Sequence, residues 1–222
     1  TGGPGLLQLR PDGKAGHVAL RLHAPGISGL QTIVARARRI FDLDADPALI
    51  SAVLRRDPRL ARSVARRPGL RVPGAYDAFE CAVRAVLGQQ VTVRGATPLS
   101  GRLVARFGES LETPFAPDLT HLFPLPEALA EADLEGIGLP KARAAPLRAL
   151  ASAVARGALA LQARLGLDDF VARFTEIPGI GPWTAHYVAM RAFGEPDALP
   201  SGDLVLRKAL GREEATAPGR GD

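Results

Sequence analysis

The segment Ile177-Pro178-Gly179-Ile180-Gly181-Pro182-Trp183-Thr184-Ala185 constrains this chain more than any other. Apolar residues at helical spacing precede and follow it, so the backbone must reverse within a few residues. Gly179 and Gly181 can take backbone angles with φ > 0 that side chains resist. Pro182 carries the fixed φ of a first helical turn. The pattern predicts a helix over 169–176, a tight hairpin, and a helix over 184–193. The leading amides of the second helix lack partners inside it and can hold an anion. A plain helix–helix turn uses the same residue types, and the hairpin alone does not separate the two readings. Further on, Ser201-Gly202-Asp203-Leu204-Val205-Leu206-Arg207 delivers one carboxylate from a loop. Read from the residues alone, Asp203 is the N-cap of a helix over 204–210.

Composition narrows the partner. The chain has 222 residues, 46% of them hydrophobic, which supports a packed core. No apolar run approaches the roughly 18 residues that span a bilayer. The net charge is +5, and 25 of the 28 basic residues are Arg. Arginine suits bidentate phosphate contacts, and a basic balance favours polyanions. Together with the hairpin, this points to nucleic-acid phosphates. Cys81 is the single cysteine, which excludes an internal disulfide, a Cys-rich zinc site and a four-Cys iron–sulfur cluster. It falls in an apolar helical pattern, as a small core residue does. His17, His23, His121 and His186 are scattered without ligand spacing, so no zinc site is expected. No signal peptide is visible and Thr1 is not an initiator methionine, so a processed or partial chain is expected.

Along the chain, 6–10 and 17–23 read as two strands joined by a turn over Pro11-Asp12-Gly13, with Val18, Leu20 and Leu22 on one buried face. Helices are expected over 28–41, over 46–56 with Asp46 as cap and Pro47 in the first turn, and over 58–66. Arginines crowd this region (Arg36, Arg38, Arg39, Arg55, Arg56, Arg59, Arg62, Arg66, Arg67), as on a solvated helix face. Arg71-Val72-Pro73-Gly74-Ala75 reads as a boundary, and beyond it the pattern is almost entirely helical. Asp77 can cap a helix bearing Phe79, Ala82, Val83, Val86 and Leu87. Pro98 and Pro146 would each cost about 3 kcal/mol in a helix interior, so a start or kink is expected there. Leu134-Glu135-Gly136-Ile137-Gly138-Leu139-Pro140 echoes the hairpin without its Pro-Gly start or its aromatic, and reads as a structural turn. The fold class expected is α+β, mostly α. An N-terminal mixed α/β subdomain covers 1–70, a helical part with the hairpin covers 71–195, and the Asp203 loop, a short helix and a tail cover 196–222.

Three ordered blocks carry a family resemblance. They are Leu70–Glu80 running on through Val83–Val91, the hairpin through Tyr187, and Leu199–Leu210 around Asp203. Over essentially its whole length the chain resembles the helix-hairpin-helix (HhH-GPD) DNA glycosylases, and within them the AlkA type of DNA-3-methyladenine glycosylase II. The resemblance implies helical helix-hairpin-helix glycosylase subdomains after the small β-containing one. It implies base-excision repair: flipping and hydrolytic release of alkylated bases, of the 3-methyladenine and 7-methylguanine type, from double-stranded DNA. It further implies a monomer of the bacterial cytoplasm, nucleoid-associated and without a membrane partner.

Residue by residue, Asp203 matches the catalytic carboxylate, and Trp183 and Tyr187 match aromatics that line the base pocket. Both aromatics also fit plain core packing. Relatives that also cut the strand carry a Schiff-base Lys where this chain has Trp183, so the resemblance implies a monofunctional enzyme. Gln90 matches the wedge that fills the vacated base position, although an apolar wedge is the more familiar type. Gly179, Gly181 and Thr184 match the backbone amides that hold a DNA phosphate. The backbone carbonyls of Thr175, Ile177 and Ile180 match a monovalent-cation site. No other cofactor is implied. Two alternatives stand beside this reading. A non-catalytic hairpin DNA-binding module leaves Asp203 and Trp183 unused, and a glycosylase for oxidised bases usually carries the Lys absent here.

Overall fold

The computed structural model describes residues 3–14, 16–26, 28–89, 93–112, 118–162, 166–209 and 211. Two strands, β1 (Leu6–Pro11) and β2 (Val18–His23), pair antiparallel with Leu7 opposite Leu22 and Leu9 opposite Leu20. The turn is closed by the Asp12 amide donating to the His17 carbonyl at 3.3 Å. Sequence alternation predicts one buried face, and the structure corrects the degree. Leu20 and Leu22 are half-buried, Val18 is exposed, and no residue of either strand is fully buried.

Helices follow: α1 (Leu30–Ile40), α2 (Pro47–Leu54), α3 (Pro58–Arg66), α4 (Ala78–Leu87), α5 (Val93–Phe107), α6 (Pro126–Ala130), α7 (Lys141–Ala155), α8 (Leu167–Thr175), α9 (Pro182–Val188) and α10 (Leu204–Ala209). A 3-10 turn occupies Glu135–Ile137, and a π-helical turn occupies Ala189–Phe193. Aspartates cap three helix starts, the expected Asp46 and Asp77 and also Asp57. Asp46 Oδ1 accepts from the amides of Ala48 at 2.8 Å and Leu49 at 3.1 Å. Asp57 Oδ1 accepts from the Arg59 amide, and Asp77 Oδ1 from the Glu80 amide, each at 2.8 Å. The two internal prolines do not start their helices. Pro98 and Pro146 each lie inside, at the sixth position of α5 and α7. Pro146 is buried beside Leu147, Leu150 and Ala151, so apolar packing offsets the lost backbone bond. Among the described residues, no helix is long and apolar enough to cross a membrane.

The chain divides into two compact units, each assembled from two stretches of sequence. Unit 1 comprises Thr1–Ala35 and Leu87–Ala158. Its core is built from Leu99, Leu103, Leu129, Leu134, Leu139, Leu147 and Leu150, all at most 4% exposed. Arg102 Nε closes the 3-10 turn by donating to the Ile137 carbonyl at 2.8 Å. Unit 2 comprises Arg36–Val86 and Leu159–Asp222 and carries the hairpin and Asp203. Its core includes Val83, Val86, Phe170, Phe174, Ile180, Ala185, Val188 and Ala192. Phe170 stacks near Phe174 with centroids 5.1 Å apart and meets Phe193 edge-on at 5.0 Å.

Candidate active site

The hairpin is built by two glycines with different jobs. Helix α8 ends at Thr175, and the Ile180 amide donates to the Ile177 carbonyl at 3.0 Å to close the turn. Gly179 sits at φ 83°, in the left-handed region that only glycine enters without strain. Gly181 has φ −98° and ψ 172°, ordinary extended backbone, and a Cβ placed there would meet open space. Its smallness therefore keeps the approach to the hairpin clear. Pro182 then opens α9, and Gly181's carbonyl accepts from Thr184 at 3.0 Å and Ala185 at 3.3 Å. Thr184 is buried, at 2% exposure, so it offers the surface no side chain.

One turn along α9, Trp183 and Tyr187 come together through their spacing of four. Their rings stack with centroids 5.3 Å apart and planes 16° from parallel. Asp203 reaches the Trp183 indole from a different part of the chain. A turn in which the Asp203 amide donates to the Pro200 carbonyl at 2.9 Å brings it to the head of α10. Its Oδ1 accepts from the amides of Val205 at 2.9 Å and Leu206 at 3.0 Å. Its Oδ2 accepts from Trp183 Nε1 at 3.3 Å. The carboxylate is thus fixed at both oxygens and half-buried, with an aromatic stack at its side. A negative group held this way can stabilise positive charge that develops near it without first reorganising.

The structure therefore brings Asp203, Trp183 and Tyr187 into one cluster and places Gly179, Gly181 and Thr184 at the start of the helix that carries it. Gln90 lies outside the described residues. Of the carbonyls predicted to meet a cation, that of Ile177 accepts the Ile180 amide, and Thr175 ends α8, where helix carbonyls lack intrahelical partners. The Thr175 hydroxyl turns back to donate to the carbonyls of Val171 at 2.8 Å and Ala172 at 3.0 Å. Two cavities, of about 840 Å³ and about 520 Å³, are instead lined mainly by α2, α3 and the 67–72 segment. Neither includes Trp183, Tyr187 or Asp203, and neither pairs a nucleophile with a base, so the fixed carboxylate is the better guide to chemistry.

Arg191 is the member that sequence reasoning missed. Its Nη1 donates to the Tyr187 hydroxyl at 3.4 Å and its Cζ lies 5.5 Å from the Tyr187 ring centroid. The signal was present: positions 183, 187 and 191 repeat at helical spacing. A basic residue amid many arginines did not stand out. The backbone of the π-helical turn is held from the other segment of unit 2. The Arg191 carbonyl accepts from the Ala75 amide at 2.7 Å, and the Ala192 carbonyl accepts from Arg39 Nη1 at 3.2 Å. Gly74 lets its own segment lie against the end of α1, because a Cβ there would lie 2.3 Å from the Arg39 carbonyl oxygen. Nearby on the chain, burial pushes the Cys81 thiol up to about 11, with the Arg191 charge pulling it the other way.

Comparison with known proteins identifies the family. Residues 1–77 match the AlkA N-terminal domain, and residues 83–218 match the HhH-GPD superfamily of base-excision DNA repair proteins. The probable bifunctional transcriptional activator/DNA repair enzyme AlkA of Mycobacterium tuberculosis is 42% identical over 207 residues, 93% of this chain and 41% of that protein. DNA-3-methyladenine glycosylase 2 of Escherichia coli is 36% identical over 194 residues, 84% of this chain and 66% of that protein. The chain thus spans between two fifths and two thirds of these relatives. Among solved structures, a 3-methyladenine DNA-glycosylase from Archaeoglobus fulgidus superposes with a TM-score of 0.76 at 22% identity, covering 94% of this chain and 70% of that one. Two domain matches in series, a relative at 42% identity and a shared fold place the chain in one family: it belongs to the HhH-GPD superfamily of base-excision DNA repair proteins, preceded by an AlkA-type N-terminal domain.

Proposed function

We propose that the chain is the glycosylase part of a base-excision repair enzyme that releases alkylated bases from double-stranded DNA by hydrolysis. The observation that carries this reading is the Trp183–Asp203 pair: an indole N–H bound to a fixed carboxylate beside an aromatic stack. The target nucleotide leaves the duplex and its base seats against the aromatics. The C1′–N bond breaks and the base departs with the bonding electrons. The sugar becomes oxocarbenium-like, and Asp203 stabilises that charge. Water then adds to C1′ and loses a proton, leaving an intact abasic strand. Trp183 stands where a strand-cutting relative needs an amine, so no Schiff base forms. Cationic alkylated bases fit an electron-rich indole face better than neutral bases do. This extends to the chain the activity named for its relatives of Escherichia coli and Mycobacterium tuberculosis.

In this reading the hairpin around Gly179 and Gly181 holds a backbone phosphate, which positions the duplex without reading its sequence; the expectation for Thr184 is corrected, because its amide already donates to the Gly181 carbonyl at 3.0 Å. Gln90 fills the space the base vacates. The carbonyls of Thr175, Ile177 and Ile180 offer the all-oxygen donor set that suits a monovalent cation, which would add positive charge where the phosphate docks. The decisive test is base release from methylated duplex DNA by the wild type and Asp203→Asn. Asn caps a helix about as well as Asp, so α10 should survive while excision falls by at least about 100-fold. Equal excision by the two proteins would refute the assignment.

A further inference from the structure

We infer that Arg191 is the positioning residue of this site: its guanidinium sets Tyr187, Tyr187 sets Trp183 by stacking, and Trp183 sets the Asp203 carboxylate. The inference rests on the reading of Asp203 as the group that meets the reacting sugar. The chain of contacts is continuous. Arg191 Nη1 donates to the Tyr187 hydroxyl at 3.4 Å, and its Cζ lies 5.5 Å from the ring centroid. Tyr187 stacks on Trp183 at 5.3 Å. Trp183 Nε1 donates to Asp203 Oδ2 at 3.3 Å. Arg191 itself does not touch the carboxylate and acts only through the two rings.

Two features argue that the guanidinium is kept for this purpose and not for stability. First, Arg191 Nε is buried with no hydrogen-bond partner, and among the described residues no carboxylate forms an ion pair with this side chain. Shielding part of a charged group without pairing it is unfavourable, and an apolar side chain of similar length would pack at lower cost. Second, the residue sits in a π-helical turn, an irregularity that recurs at functional positions. That turn is clamped beneath it by the Ala75 amide and by Arg39 Nη1. A cation on a clamped backbone is a fixed reference point. The Tyr187 ring, held at its hydroxyl and at its face, has little freedom to swing. An indole packed on it keeps its N–H aimed at Asp203.

The test uses the fact that Trp183 is the only tryptophan of the chain, so indole emission reports this site alone. Arg191→Met removes the charge and the donors while keeping an unbranched apolar stem, and Arg191→Lys restores the charge. Arg191→Met should melt at or above the wild-type temperature. Its Trp183 emission maximum should shift, and acrylamide should quench it more readily. Its single-turnover excision rate should fall about tenfold or more with DNA affinity unchanged, since misplaced catalytic groups lose rate rather than binding. Arg191→Lys should recover part of both the emission and the rate. Wild-type emission and rate in Arg191→Met would overturn the inference. So would a large loss of melting temperature that Arg191→Lys shares without recovering the rate. A wild type inactive on methylated duplex, with emission still shifted in Arg191→Met, would keep the positioning role and overturn the reaction assigned to the site.

Discussion

Replacing Trp183 by Phe and by Ala separates the two things the indole does. The Nε1–H donates to Asp203 Oδ2 at 3.3 Å, near the long end of hydrogen bonding. A bond to a charged acceptor is worth about 1.5–3 kcal/mol at good geometry. At this length, and only partly buried, about 1 kcal/mol is the reasonable share, or roughly fivefold in rate. Phe loses that bond but keeps a ring against Tyr187, whose stacking contributes about 0.5–1.5 kcal/mol. Ala loses both, together with the quadrupole that favours a cationic base by about 0.5–2 kcal/mol. Trp183→Phe should therefore slow release of 7-methylguanine and hypoxanthine alike, by about fivefold. Trp183→Ala should slow both further and cut the ratio of cationic to neutral release by roughly another fivefold. Single-turnover rates for the two bases, measured beside melting curves, decide the matter. Equal losses for both substrates in Trp183→Ala, with a lowered melting temperature, would show that the indole serves only the core. Wild-type rates in Trp183→Phe would show that the hydrogen bond to Asp203 has no catalytic use.

Gly181→Val tests the anchor cleanly, because its φ is ordinary and its Cβ direction is open: the protein should keep its melting temperature yet bind all duplex sequences about tenfold more weakly by fluorescence anisotropy. A sequence-selective loss, or none, would count against the hairpin as phosphate holder. The product should be an uncut abasic strand that alkali then breaks, and borohydride should trap no covalent adduct; a trapped adduct would disprove hydrolysis by a carboxylate alone. Burial raises the Cys81 thiol from 9.0 to about 11, so the unfolded chain ionises first as pH rises. The stability this group contributes is whole below pH 9 and is lost as pH climbs through 11. Urea titrations at pH 8 and pH 11 should show the stability gap between wild type and Cys81→Ala moving by about 2 kcal/mol in favour of Ala; an unchanged gap would mean that the thiol is not shielded as described.

Local signals carried much of this fold into the sequence. The strand pair, the Asp46 and Asp77 caps and the hairpin each depend on a few neighbouring residues, and each appears at or near its expected place. The two internal prolines misled for a physical reason: a lost backbone bond is visible in sequence, whereas the burial that offsets it at Pro146 is not. The strand face misled likewise, because alternation reports which residues share a side and not how well that side is covered. At the site, Asp203 and the aromatics were legible as residue types, but their mutual geometry was not. A spacing of four puts Trp183 and Tyr187 on one helical face, but it does not say that the indole N–H is spent on the carboxylate. The π-helical turn and the capture of its carbonyls by Ala75 and Arg39 depend on partners more than a hundred residues away, beyond any periodicity.

The composite make-up of unit 2 has a consequence for how the protein is made. Its first stretch, Arg36–Val86, leaves the ribosome before the whole of Leu87–Ala158, and only then do α8, α9 and α10 follow. At roughly 5–20 residues per second, that intervening stretch delays completion by several seconds. Ala75 and Arg39 have no π-helical carbonyls to bind in that interval, and α4 carries Val83 and Val86, both wholly enclosed in the finished protein, without the Phe170 and Val188 of its own core. Native structure in the unit that carries Asp203 is therefore a late event in synthesis. A chain stalled before α9 presents unfinished apolar surface, the kind that makes incomplete chains prone to aggregate.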